Sequence, residues 1–466
     1  MYEQFTIAYT EVSNREIGNC TTYVVLTFRR LCVIIKMSRC LYVNCESNEI
    51  TSSQRHVEIK TVLPRSGVKK MKSVIKSKML IFWKSNGEAM LHRHCYDLLL
   101  KSARARNPKG LIPKMLQEEK ALFKEAIKTA EYFDSIETLR NEGMKVAEMI
   151  KKSKHCVVFT GAGISTSAGI GDYRGKSGKW TQQDQASINM DSVFASGSRE
   201  KINEEMQEST EEEDDDGGVP YECLRPTYTH EALQKLIANG YVKHIISQNG
   251  DGLHGLSGVC AADLSELHGN VFVEICETCK TRYDRPFYVM DDACSLYFEE
   301  LEDHGKSSVK KPTHAKKCDR CGLSHRTGRR CEKKGCKGFL MDSIINFRDL
   351  LEDDILEQAT WNAQHSDLMI CLGSTLTVTP ANSLVEMTKE PQQIVICNRQ
   401  TTDIDDLCMR ACGPHGEVVG SRVFGDCDIF MQEIMKHILV PEDLKSWEDG
   451  REKRMENYNS CRVPVV

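Results

Sequence analysis

The sequence predicts an α/β protein: a doubly wound parallel sheet interrupted late in the chain by a small cysteine-rich module. Three observations predict it. Short apolar runs (CVVFTGAGIS, VKHIISQN, DLMICLGS and QQIVICN) each end in small or polar residues. Helical stretches lie between them: THEALQKLIANG, DDILEQATWNAQHS, ANSLVEMTKE and DIFMQEIMKHIL. Pairs of cysteines then break the alternation between Cys276 and Cys336. Apolar strands alternating with helices indicate a parallel sheet covered on both faces. Ligands of such sheets bind at the carboxyl ends of the strands, marked here by Gly161, Gln248, Gly373 and Asn398.

Residues 1–110 form an N-terminal extension with little pattern. Its apolar stretch CTTYVVLTFRRLCVIIKM is cut by Arg29 and Arg30. Each half is far shorter than the roughly 20 residues of a spanning helix, so a buried strand pair is expected and no membrane span. The basic run KKMKSVIKSK at 69–78 reads equally as a nuclear address or as a solvated face. HRHC at 92–95 has metal-binding residue types, but nothing adjacent supports a site, and it is expected at the surface. Residues 111–145 are rich in strong helix formers, with Leu116, Leu122, Ile127 and Ala130 near helical spacing, and are expected to be a helical lead-in. Nine carboxylates crowd between Glu204 and Asp216, so residues 199–218 are expected to be a solvated loop.

The net charge of -5 gives no bulk argument for nucleic-acid contact. The chain carries 21 cysteines in 466 residues, and its first residues lack a secretory pattern. A reducing compartment is expected, with some cysteines on metal and the rest packed as small hydrophobes.

VVFTGAGISTSAGIGDYRGKSGKW follows a strand and opens a helix, where a glycine turn lets backbone N–H groups face a phosphate. A dehydrogenase fingerprint would need a third glycine at Thr166, and its acidic residue about twenty positions on has no counterpart. Among the cysteines, Cys276-x2-Cys279 is followed by Cys318-x2-Cys321 and Cys331-x4-Cys336. Two such pairs suit tetrahedral zinc, and a closed four-thiolate site is structural. Spacing alone leaves the second pair open. A zinc deaminase is excluded, because it needs H-x-E ahead of P-C-x-x-C.

GAGIS, AGIGDYRG, SQNGDGLH, SELHGN, CLGSTLTV, ICNRQ and GDCD follow one another in order. This constellation resembles the sirtuins, NAD-dependent protein-lysine deacylases, over residues 146–439. DYRG, LHGN and the stretch from TGRRC to DSIINF are most similar to the class of sirtuins six and seven, nearer to seven. The resemblance implies a Rossmann-like part at 146–275 and 340–439, a zinc module at 276–339 and a C-terminal tail at 440–466. It implies two cofactors, NAD and zinc, and an acetylated lysine of a partner protein, a histone or other nuclear protein, as substrate. It implies a nuclear residence, with the cytoplasm as the alternative.

The resemblance also implies roles. Gly161, Ala162, Gly163 and Ile164, with Ser165, would cradle the pyrophosphate. Asp172, Tyr173 and Arg174 would close over the nicotinamide ribose. Gln248 and Asn249 would contact the ribose, and Asp251 the carboxamide. Gly373, Ser374 and Thr375 would line the adenosine end, and Asn398, Arg399 and Cys427 the adenine and its ribose. His268 would be the general base, which suits a group whose pKa lies near working pH. The family places its second cysteine pair just before the next strand, which implies Cys331 and Cys336 with Cys276 and Cys279, and Cys318/Cys321 as the alternative. Two positions depart from the family pattern. Gly171 replaces a proline, and Phe347-Arg348-Asp349 replaces F-G-E, so a looser cofactor loop and an altered peptide groove are expected. Mono-ADP-ribosyl transfer and a weakly catalytic NAD-binding scaffold are the alternative functions.

Overall fold

The computed structural model describes residues 22–28, 31–62, 79–84, 86–105, 112–171, 219–290, 318–413 and 415–463. The basic run at 69–78, the acidic run at 199–218 and Asp172, Tyr173 and Arg174 lie outside the described residues. The chain divides into two compact units: Met1–Thr138 with Tyr173–Gln207, and Leu139–Asp172 with Glu208–Val466.

In the first unit, β1 (Thr22–Phe28) and β2 (Leu31–Arg39) pair antiparallel, with Phe28 opposite Leu31. β2 also pairs with the short β3 (Glu49–Ile50). A second sheet centres on β4 (His56–Lys60), flanked by β5 (Glu88–His92) and β6 (Glu131–Phe133), all antiparallel. Val57 and Ile59 alternate inward along β4, the period expected of a half-buried strand. The helix Arg93–Arg104 follows β5 directly and buries Cys95, Tyr96 and Leu99; the helix Gln117–Ala126 adds Phe123. These residues form one apolar core.

Two expectations are corrected here. HRHC is not at the surface as a whole: His92 and Cys95 are buried, because the groups they meet are supplied by residues 40–45, far upstream. Residues 111–145 are not continuously helical, since β6 stands between two helices. Tyr132 and Phe133 suit a pleated, half-buried surface, and they pair with Val57 and His56.

In the second unit, six parallel strands form one sheet. They are β7 (Cys156–Thr160), β8 (Val242–Ser247), β9 (Leu264–Glu266), β14 (Leu368–Leu372), β15 (Ile394–Cys397) and β16 (Ser421–Val423), in the order β16-β15-β14-β7-β8-β9. All residues of β7, β14 and β15 are buried, as a sheet covered on both faces requires. The strand order reverses between β7 and β14, which opens a crevice at their carboxyl ends.

β10 (Val273–Cys276), β11 (Arg282–Asp284), β12 (Arg326–Arg330) and β13 (Phe339–Asp342) make a separate antiparallel sheet, ordered β11-β10-β13-β12. One of its buried charges is Glu274, whose carboxylate accepts from Arg285 at 2.7 Å, from Arg329 at 3.0 Å and from Thr327. Removing the carboxylate takes the buried anion away from two partly exposed guanidinium groups, of which Arg285 keeps Glu332 at 2.7 Å and Arg329 the Val289 carbonyl at 2.9 Å. Glu274→Ala is therefore expected to destabilise the protein by about 1–3 kcal/mol, read as a lowered midpoint in urea unfolding.

Within the segment expected to be a C-terminal tail, residues 440–463 are folded. The helices Pro441–Asp449 and Arg451–Cys461 follow the sheet, and Arg454 and Tyr458 bond the buried Glu231 at 3.1 and 3.2 Å. The apolar signal was faint, because Tyr458 is the one buried residue of the last helix. Among the described residues, no helix is long and apolar enough to cross a membrane.

Candidate active site

The site is assembled where β7, β8 and β14 end. Thr160 pairs with Leu372 and with Ser247, so the loops that follow all three strands emerge side by side. Gly161 and Gly163 press against the loop beginning at Gly373. A Cβ on Gly163 would lie 2.7 Å from the Cα of Gly373, and Gly373 itself holds φ +64°. Any side chain would separate the loops. The Gly161 and Gly163 N–H groups donate to Leu372 O at 3.0 Å and Gly373 O at 2.8 Å. These two glycines thus fix the loop and do not offer those donors to a ligand.

Ser165 links the glycine loop to the loop after β8. Its hydroxyl donates to Asp251 Oδ2 at 2.6 Å, and Asp251 Oδ1 accepts the Leu253 N–H at 3.0 Å. Asn249 Nδ2 donates to Gly161 O at 3.2 Å and Ser165 Oγ at 3.3 Å. Asn249 and Asp251 are both buried. Ser374 Oγ donates to Gln248 Oε1 at 2.8 Å, while Gln248 Nε2 is buried without a hydrogen-bond partner among the described residues. A buried amide left unpaired costs free energy unless a ligand satisfies it.

His268 follows β9, and its Nδ1 lies 2.8 Å from Gln248 O. A carbonyl only accepts, so Nδ1 carries the proton and Nε2 the lone pair. Burial lowers the imidazole's pKa below its ordinary value, although the bond to Gln248 O works the other way. Gly269, at φ +78°, lets the chain cross Ser343, whose carbonyl oxygen would lie 1.9 Å from an added Cβ. Ser343 Oγ then clamps Asn270 through N–H and carbonyl bonds of 3.0 and 2.9 Å. Asn270 also caps Glu266, whose carboxyl burial pushes up to about 7.

A cleft beside the glycine loop is lined by Gly163, Thr166, Gly373, Asn398, Asp426 and Cys427, together with Arg399. Arg399 is ion-paired with Asp426. Sequence reasoning missed Asp426 and Ser343, although the GDCD motif contains the first. Ala162 and Ile164 lie in the turn after β7, and Thr375 beside Thr377 at 3.1 Å. The glycine-built floor and the unpaired Gln248 amide fit a dinucleotide.

Cys276, Cys279, Cys331 and Cys336 bring their sulfur atoms within 4.8 Å of one another. Cys276–Cys336 and Cys279–Cys331 are each 3.6 Å apart, near the edge of about 3.8 Å in a tetrahedron with Zn–S of about 2.3 Å. Gly338 makes room for Cys276 Sγ, which an added Cβ would approach to 2.6 Å. Cys318 and Cys321 do not join this group. They gather instead with His325 and Asp349, a grouping hidden in the sequence because Asp349 follows 28 residues after Cys321.

Arg348 keeps a backbone that favours glycine, with φ +83°, and its side chain is exposed. The neighbouring Asp349 carboxylate accepts Asn346 N–H at 3.1 Å and meets His325 at 3.3 Å. Relief of the left-handed strain, offset by the greater chain entropy of glycine, makes Arg348→Gly stabilising by about 0.5–1 kcal/mol. A raised melting temperature would show it.

The Sir2 family profile matches residues 161–380. The chain is 33% identical over 316 residues to the NAD-dependent protein deacetylase Sirt6 of Drosophila melanogaster, covering 68% of this chain and 83% of that one. It is 31% identical over 329 residues to human NAD-dependent protein deacetylase sirtuin-7, covering 68% and 66%. To the deacetylase SRT1 of Arabidopsis thaliana it is 34% identical over 277 residues, and there it spans only 47% of the relative's length. A solved Sir2 structure bound to acetylated peptide is 24% identical, with a TM-score of 0.38 over 63% of this chain and 98% of that one.

Proposed function

The chain belongs to the Sir2 family, and from that premise we propose that it is an NAD-dependent protein-lysine deacetylase. One observation carries the proposal. Ser165, Asn249 and Asp251 form one hydrogen-bonded group and Gln248, His268 and Ser374 another, and the two adjoin at the Gln248–Asn249 peptide at the carboxyl ends of adjacent parallel strands.

NAD, when bound, supplies an electrophilic ribose carbon that accepts the acyl group as nicotinamide departs. The chain's residues do the rest. The side-chain-free surface of the glycine loop leaves room for the cofactor's phosphates and adenosine end beside Ser374, Asn398, Arg399 and Cys427. Gln248 offers its unpaired Nε2–H to a ribose oxygen. Asp251, fixed by Ser165 and the Leu253 N–H, orients the carboxamide, and Asn249 orders the same loop. Neutral His268 takes a proton from a ribose hydroxyl at Nε2, its tautomer held by Gln248 O. Cys276, Cys279, Cys331 and Cys336 hold a structural zinc that takes no part in the chemistry, since four thiolates leave no open position.

The finer reading is a nuclear enzyme acting on acetylated histone tails. The class resemblance and the basic run at 69–78 support it. The test incubates purified protein with NAD and an acetylated histone-tail peptide. Acyl loss that requires NAD is expected. ADP-ribose on protein without acyl loss would replace this reading with a transferase, and NAD binding without turnover would replace it with a scaffold.

A further inference from the structure

The N-terminal unit gathers four metal-ligand side chains that nothing in the catalytic machinery uses. Cys40, Cys45, His92 and Cys95 are all buried, and their donor atoms lie within 4.8 Å of one another. We propose that these four residues hold a second structural zinc ion, in a site of three thiolates and one imidazole separate from the four-cysteine module.

The ligands come as two pairs. Cys40 directly follows β2, and Cys45 sits in the turn closed by its own N–H to Tyr42 O at 3.1 Å. His92 ends β5, and Cys95 lies in the first turn of the helix Arg93–Arg104. A tight turn paired with a strand-to-helix junction brings all four donors to one point. The spacing C-x4-C followed by H-x2-C records this geometry.

The surroundings orient each donor. His92 Nε2–H donates to Glu49 O at 2.8 Å, which leaves the Nδ1 lone pair facing Cys45 Sγ at 3.2 Å. An imidazole whose other nitrogen is held by a carbonyl is the arrangement of a metal ligand. The His92 backbone N–H points at Cys40 Sγ, 3.4 Å away, a bond that favours sulfur carrying negative charge. None of the three cysteines is in a disulfide.

Buried cysteines often pack simply as small hydrophobes. Here that account fails on His92. Apolar packing has no need of a desolvated nitrogen lone pair aimed among three sulfurs, where only weak S–H donors could meet it. Three thiolates and one imidazole suit tetrahedral zinc, and four protein ligands close the site to substrate. Cys40, Cys45 and Cys95 belong to the apolar core of this unit, so the ion would tie β2, β5 and the following helix together.

The test measures zinc in the full-length protein by elemental mass spectrometry. Cys45→Ser is expected to carry one zinc fewer per chain than wild type, and His92→Cys to retain the wild-type count through a fourth thiolate. Equal zinc in wild type and Cys45→Ser, or iron in place of zinc, overturns the proposal. A second measurement on wild type stands whether or not the variants fold. Cys40, Cys45 and Cys95 should resist alkylation in the native protein and react once a chelator has stripped the metal. Protection that survives complete metal removal overturns the site.

Discussion

His268→Ala is expected to lower NAD-dependent deacetylation by about 100-fold to 10,000-fold, the range of a lost general base, while NAD binding and zinc content persist. The expectation rests on the imidazole's tautomer. Nδ1–H is committed to Gln248 O, so Nε2 alone can take a proton. Burial holds the imidazole's pKa below its ordinary value of about 6.5. The active form is neutral, and a lowered pKa keeps it neutral at more acidic pH. The acid limb of kcat/KM in wild type is therefore expected below pH about 6.5. A limb above that value would contradict the burial argument. In the alanine variant this limb should vanish from the residual activity.

Cys331→Ser is expected to abolish activity by unfolding the β10–β13 sheet, with loss of its zinc, whereas Cys318→Ser keeps the four-cysteine zinc and nearly all activity. Apparent zinc binding at structural sites contributes about 10–16 kcal/mol to folding, more than a small four-stranded sheet can lose. The two variants separate cleanly because Cys331 lies 3.6 Å from Cys279, while Cys318 contacts Asp349 at 3.4 Å in a different group. Zinc content and near-ultraviolet circular dichroism of the two proteins check it. Loss of the four-cysteine zinc in Cys318→Ser would reassign the second ligand pair.

The parallel sheet was legible because β7, β14 and β15 are buried on both faces and so read as continuous apolar runs. The catalytic loops were legible because each begins where such a run stops. Other features depend on distance along the chain. His92 and Cys95 looked isolated because Cys40 and Cys45 stand about fifty residues away, and the sequence offers no signal that β2 and β5 meet. The choice between cysteine pairs was likewise tertiary: β13 brings Cys336 back against Cys276, and spacing does not encode that return. Arg348 hid its backbone state, since only the fold reveals a left-handed φ at a non-glycine residue. The C-terminal helices were read as a tail because their anchors are polar, with Arg454 and Tyr458 bonding Glu231.

The most direct measurement follows the acyl group itself. Purified protein is incubated with NAD and a peptide bearing an isotopically labelled acetyl-lysine, and the labelled product is identified by mass spectrometry. The account predicts the label on ADP-ribose, in equal amounts with free nicotinamide and deacetylated peptide. Label released as free acetate from the first turnover, with NAD intact, would contradict it.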